Sequence, residues 1–539
     1  MKKLFFLPAL AAMMFSSCSS DEPTVDNPTG KDGESYMAIN IKNIGQGSRA
    51  AAVGNPEFEA GLDKEGNITK ENLYFLFFDG NGNAFPLAYA NVNGEVTTNM
   101  VKPSEIAWDK TDGAEDKTLT GVLVLGKAVG EGYIGKKPST VICVANPNTD
   151  VMAKLENKNL PSVLATVTNI PADVNATWYG ANAKFLMTNS VYANADANAS
   201  SLIQEVNVTG CIKDSPEEAK ANPAYIYIER VAAKVRATYA STMDIQKRVK
   251  NEDGTTTVVT GENATFLLDN EEVTFTAAIN GWQLYNTAVQ ANAFKDLDLT
   301  KANAFTWKWN DVDRHRSYWA VSNQGATLED NTWDIYDAAS FTNQSFATAT
   351  PDANIAYCYE NTGFTGVEAN DRTPNSATAI IVKATISAKK KDGTIINNID
   401  MMRWSGAYYT VDRLKQRIAD AYKAKFPDAT VSADKVKFVE NSTKDNTYHA
   451  LYDNYDMSEL FGSILWWKNG VTSYSVNIEH FGGLIGVVRN HIYDYTFNGL
   501  IGLGVPGNDP NTPEEKEQFL SCYVRVLNWH VVSNTVTLE

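Results

Sequence analysis

The chain has 539 residues and a formal net charge of −17, with 64 acidic against 47 basic side chains and 43% apolar residues. That length holds two or more hydrophobic cores, and the acidic balance argues against nucleic acid while suiting a crowded surface molecule whose like-charged copies resist clumping. The charge names no ligand.

Lys2 and Lys3 precede an apolar run over residues 4 to 15, too short to span a bilayer, and Ser16 and Ser17 lead to Cys18. This reads as a secretory signal. The small residues before Cys18 resemble a bacterial lipoprotein box, in which that cysteine is lipidated, and the following Ser19-Ser20-Asp21-Glu22 resembles the acidic export tag of Bacteroidetes surface lipoproteins. No later segment has the length and apolarity of a membrane helix, so any anchoring is expected through lipid. Residues 19 to 33, polar and rich in Pro and Gly, read as a flexible tether.

A strand follows at residues 36 to 42, with Met37, Ile39 and Ile41 on one face and Asn40 and Lys42 on the other. Such a strand belongs in a groove. Beyond it, a stretch of small residues carries Arg49, the first arginine of the chain, followed by Ala50. An exposed segment of this kind admits a trypsin-like protease, which would cut between Arg49 and Ala50.

From there the signal is β. The runs at 73 to 79, 140 to 147, 224 to 239 and 378 to 388 are rich in β-branched and aromatic residues. Hairpin turns are expected at Asp79-Gly80-Asn81-Gly82, Asp253-Gly254, Asn280-Gly281, Asp392-Gly393 and Asn469-Gly470. The clearest helix is Val411–Lys425, where Leu414, Ile418 and Tyr422 line one face against a sheet. No short repeat marks a solenoid or propeller, and two sandwich domains fit best. The polar, helix-friendly stretch 213 to 223 interrupts the strands and places the seam nearby, dividing the chain into 50–235 and 236–520, with a terminal strand region at 521–539.

Motifs of chemistry are few. Residues 502 to 507 match GxGxxG, but Pro506 argues against the helix a phosphate site needs, so a turn is expected. There is no HExxH, GxSxG or Walker loop, the five histidines lie far apart, and Cys143, Cys211, Cys358 and Cys522 have no metal-ligand spacing. Export would permit disulfides, whose pairing the sequence does not give, and buried thiols are the simpler reading. No cofactor is implied. Trp307, Trp309, Tyr318, Trp319, Trp466 and Trp467 could stack on sugars, which keeps a glycan-binding surface lipoprotein as the alternative, though core or half-buried strand positions suit them better.

In the terminal region Val532, Val536 and Leu538 share a strand face interrupted by Asn534, whereas Leu527, Trp529 and Val531 have the other parity. The phase slips between residues 528 and 532, which implies a bulge or two successive strands. Residues 532 to 539 have the pattern of a strand donated to another sheet.

Taken in order, the Cys18 leader, the Arg49 linker, FLMTNSVY (185 to 192), IERVAAKV (228 to 235), RSYWAVS (316 to 322), AYCYENTG (356 to 363), the run from 486 to 506 and YVRVLNWHVVSNTVTL (523 to 538) resemble the Bacteroidales type V fimbrial shaft subunits, the minor-fimbria Mfa group in particular. The resemblance implies two transthyretin-like β-sandwiches and a structural role without enzymatic activity. It implies export as a lipoprotein acylated (palmitate) at Cys18 (signal 1–18) and anchored to the outer membrane as a precursor. An arginine-specific protease would then cut after Arg49 and release residues 19–49, with Met37, Ile39 and Ile41 as the plug strand. A neighbour's Val532, Val536 and Leu538 would fill the groove. The implied partners are other copies of the chain head to tail, anchor and tip subunits, and host or bacterial surface receptors met in adhesion and biofilm formation.

Overall fold

The computed structural model describes residues 35–43, 68, 70–91, 94–102, 106–110, 118–173, 175–179, 182–190, 192–193, 202–203, 205–251, 256–285, 287–288, 290–296, 320–322, 333–334, 355–362, 378–441, 447–480, 484–507, 519–528 and 531–534. Among these residues the architecture is all-β, with sheets packed on one another and a few short helices.

The first sheet contains β1 (Ser35–Asn43), β2 (Leu73–Phe78), β3 (Thr118–Leu125), β4 (Thr140–Ala145), β5 (Met187–Asn189), β6 (Ile212–Lys213) and β7 (Ala224–Arg230). Its main path runs from Met100–Val101 through β2, β4, β5, β7, β1 and β3 to Ile106–Lys110. Both faces are covered. On one side Phe75, Phe77, Cys143, Ile226 and Ile228 join Phe85, Trp178 and Phe185 in a core. On the other, Leu76, Phe78, Ile142 and Val144 pack under Val151 and Val163 of two short helical segments and Leu155 of the turn between them. A sheet buried on both faces is written in nearly continuous apolar runs, as in LYFLFF of β2, and not in simple alternation.

After β7 a single residue, Val231, leads into β8 (Ala232–Tyr239), which belongs to a different sheet. That sheet has the order β9 (Ile355–Tyr359), β8, β10 (His491–Ile501), β11 (Phe519–Asn528), β12 (Val531–Asn534). It faces a larger one built around the antiparallel pair Glu271–Tyr285 and Ala379–Lys390. Val235, Tyr493 and Tyr495 from the first of these and Phe275, Ile380 and Val382 from the second share one core, the arrangement of a sandwich. The α-helix α2 (Val411–Lys425) lies against this part of the fold with Leu414 and Ile418 buried, and Tyr422 stacks on Tyr452 at 4.0 Å between ring centroids. Thr410 caps it by accepting a hydrogen bond from the Arg413 amide.

The turns follow the sequence unevenly. Asp392-Gly393 joins paired strands, with the Asp392 carboxylate accepting from the Thr394 amide. Asn280-Gly281 is no turn: it is a bulge inside the strand Glu271–Tyr285, where the register shifts between Ile279 and Gly281. An Asn-Gly signal cannot by itself tell a reversal from an extra residue in a continuing strand. A tight hairpin instead forms at Asp269-Asn270, where both φ angles are positive (53° and 72°) and Leu268 pairs with Glu271. The GLGVPG segment is a bend followed by the short strand Val505–Pro506, with Gly502 and Gly504 at positive φ, and a Cβ at Gly504 would collide with Thr472 and Ser473.

Candidate assembly groove

β1 is an interior strand. Along one edge it pairs antiparallel with β3 from Ser35↔Leu125 to Lys42↔Thr118. Along the other it pairs first with β6, at Tyr36↔Lys213 and Met37↔Ile212, and then in parallel with β7 from Ile39↔Ala224 to Asn43↔Ile228. Two ladders saturate its backbone, so without β1 the facing edges of β3 and β7 would hold rows of unpaired amides and carbonyls.

Met37 and Ile39 are 0% and 2% exposed and reach the main core, beside Leu123, Ile212 and Ala224. By register Ile41 pairs with Leu119 of β3 and Ile226 of β7. The opposite face is buried too. Tyr36 and Ala38 form a separate apolar cluster with Val122 of β3 and Ala219 of a second helix, α1 (Pro216–Ala221), with Val124 against it. Burying Tyr36, Met37 and Ile39 is worth on the order of 5–8 kcal/mol before the ladders are counted.

α1 lies within the polar, helix-friendly stretch at residues 213 to 223 that interrupts the strand pattern. Its signal is the Ser215-Pro216-Glu217-Glu218 start: the Ser215 hydroxyl accepts from the Glu218 amide, and Pro216 takes the first turn, where no amide is needed.

Among the other expected sites, Cys18, Arg49, Ala50, Val536 and Leu538 lie outside the described residues. Val532 lies in β12, whose backbone pairs antiparallel with β11 (Val526↔Val532), so the described residues of the terminal region form two successive strands. β12 and β1 belong to different sheets, with β12 at an edge.

Sequence reading missed a buried ionic cluster where the sheets meet. The Arg489 guanidinium donates to Glu360 Oε1 at 3.0 Å and Oε2 at 3.3 Å, and to the carbonyls of Asn292 and Ala293. Lys295 donates to Glu229 at 3.2 Å, and Arg230 donates to Asn490 Oδ1. Glu229 is in β7, and Glu360 directly follows β9 in another sheet. Burial holds the Glu229 carboxyl above its ordinary range and the Lys295 ammonium below its own, while the ion pair pulls each the other way. The arrangement braces two sheets. Only the residue types were visible in the sequence, because their partners lie 66 to 260 positions away.

A cavity of about 500 Å³ lies apart from β1, lined by Phe266, Arg403, Tyr408 and Trp467. Glu262 is the one carboxylate among its lining residues, and it pairs with Lys247 at 2.7 Å. Trp467 is buried and donates to the Leu503 carbonyl, and Trp466 is half-buried and donates to Asp400. Cys143 and Cys358 are buried free thiols, and burial pushes Cys358 up to about 12. Among the described residues no group of His, Cys, Asp and Glu is placed to hold a metal, and no helix is long and apolar enough to cross a membrane.

No family model matches the chain, and no curated protein matches it in sequence. Among solved structures, it is similar to a candidate cell adhesion protein from Parabacteroides distasonis ATCC 8503 (11% identity, TM-score 0.37), with 92% of this chain and 98% of that one covered. A candidate cell adhesion protein from Bacteroides eggerthii DSM 20697 gives 13% identity and a TM-score of 0.37 over 92% and 95% of the two chains. The tip fimbrial protein Mfa3 from Porphyromonas gingivalis gives 11% and 0.29 over 92% and 100%. These structural neighbours of the chain are candidate cell adhesion proteins and a fimbrial protein of Bacteroidales.

Proposed function

We propose that this protein is a nonenzymatic shaft subunit of a cell-surface fimbria that polymerises by protease-triggered strand exchange. The observation that carries the reading is the placement of β1: an interior strand, paired on both edges and buried on both faces, that precedes Arg49 in the chain. While covalently attached, β1 fills its own groove at an effectively high local concentration, and the precursor is an inert monomer. A cut between Arg49 and Ala50 leaves it held by noncovalent contacts alone. A segment of another copy, residues 532 to 539 with Val532, Val536 and Leu538, then replaces it. Because giver and receiver surfaces differ, the contact is heterologous and propagates as a filament.

In this reading the precursor is exported under the signal at 1–18, lipid-anchored through Cys18 at the outer membrane, and loses residues 19–49 on maturation. Its two sandwich units, 50–235 and 236–520, form the repeating element of the shaft. Partners are further copies, the anchor and tip subunits and the arginine-specific protease. The resemblance of the Cys18 leader, the Arg49 linker and the terminal strands to fimbrial shaft subunits supports it. The test is Arg49→Ala expressed in the parent cell: monomeric precursor at the membrane is expected, and long fibres from that variant would refute the processing step.

A further inference from the structure

The channel that holds β1 has a floor and a roof. Its floor is the core, which receives Met37 and Ile39. The roof is made by the connection that runs from β6 through α1 to β7. β6 and β7 line the same edge of β1, at residues 36–37 and then 39–43, and α1 spans the gap between them and sets Ala219, fully buried, over Tyr36 and Ala38. The position between the two deepest plug residues is therefore occupied by alanine, enclosed by Val122 and Ala219.

We infer that the channel selects its replacement strand by both faces: two apolar side chains one residue apart on the floor side, and a small side chain between them under Ala219. This rests on the strand-exchange reading and adds to it the partner's required pattern. The occupant is residues 532 to 539 of a second copy. There Val536 and Leu538 have the spacing of Met37 and Ile39. Once these two occupy the floor positions, the residue between them, Thr537, falls in the place of Ala38 whichever way the incoming strand runs. Thr537 is small and β-branched, suited to a strand under a low roof. Thr535 would take the place either of Tyr36, which already holds an aromatic ring, or of Asn40, whose neighbour Tyr225 is 50% exposed. Size is restricted at 537 and tolerated at 535.

The test compares elongation of trypsin-cut subunits carrying Thr537→Trp, Thr537→Ser or Thr535→Trp with the parent and with a deletion of 532–539, each checked for parent-like circular dichroism. Overpacking an enclosed site predicts that Thr537→Trp elongates roughly tenfold or more slowly, while Thr537→Ser and Thr535→Trp follow the parent. Parent-like elongation by Thr537→Trp, or equal slowing by Thr535→Trp, would overturn the roof model. Elongation by the deletion variant would overturn the exchange reading itself, so the two failures are distinguishable.

Discussion

Lys295 and Glu229 form an ion pair of 3.2 Å in which neither side chain has any solvent exposure. Taking both charges out of water costs much of what their attraction returns, so the pair stabilises only while both partners are present. Lys295→Met alone is expected to cost about 3–5 kcal/mol, whereas combining it with Glu229→Leu restores most of the loss. The single variant carries a pH signature. Burial raises the Glu229 carboxyl, and without Lys295 that rise is larger; a group whose folded pKa lies above its unfolded value binds protons preferentially in the fold. Lys295→Met should therefore gain stability, relative to the parent, as pH falls from neutral towards the unfolded carboxyl range. Urea midpoints at two pH values check both the cost and its sign, and a relative loss towards acid would contradict the assignment.

Ile39 occupies the floor of the channel at 2% exposure. Replacing it by alanine removes buried methylenes and leaves a cavity, at a cost of about 2–5 kcal/mol in the uncut protein. The same change should speed release of the plug after cleavage, measurable as faster dissociation of a labelled N-terminal fragment. An unchanged melting midpoint would mean that β1 contributes little to the precursor.

At the Asp269-Asn270 hairpin both residues have left-handed backbone. Asn270→Gly is expected to be neutral or slightly stabilising, and Asn270→Val destabilising by about 1–2 kcal/mol, because a β-branched side chain meets the backbone at that φ. Thermal unfolding of the two variants decides it, and equal midpoints would mean that the left-handed backbone at Asn270 places no demand on the side chain.

The local grammar of the fold was legible. Alternation placed Met37 and Ile39 on the inward face of β1, and the i, i+4 spacing of Leu414 and Ile418 located α2. Burial of Tyr36 and Ala38 was not legible, because it depends on α1, more than 170 residues away, closing over them. The insertion of β1 between β3 and β7 is likewise nonlocal, and parity within a strand does not choose its neighbours. Asn280-Gly281 misled for a related reason: the strand on either side of it continues against one partner, Ala379–Lys390, and that long pairing outweighs a short turn signal.

In the proposed assembly β1 leaves its channel when a fibre forms. Mass spectrometry and N-terminal sequencing of subunits dissociated from purified native fibres test it directly. Subunits that begin at Ala50 and carry no retained peptide covering residues 35–43 are the predicted result. Fibres whose subunits still hold that peptide would contradict it.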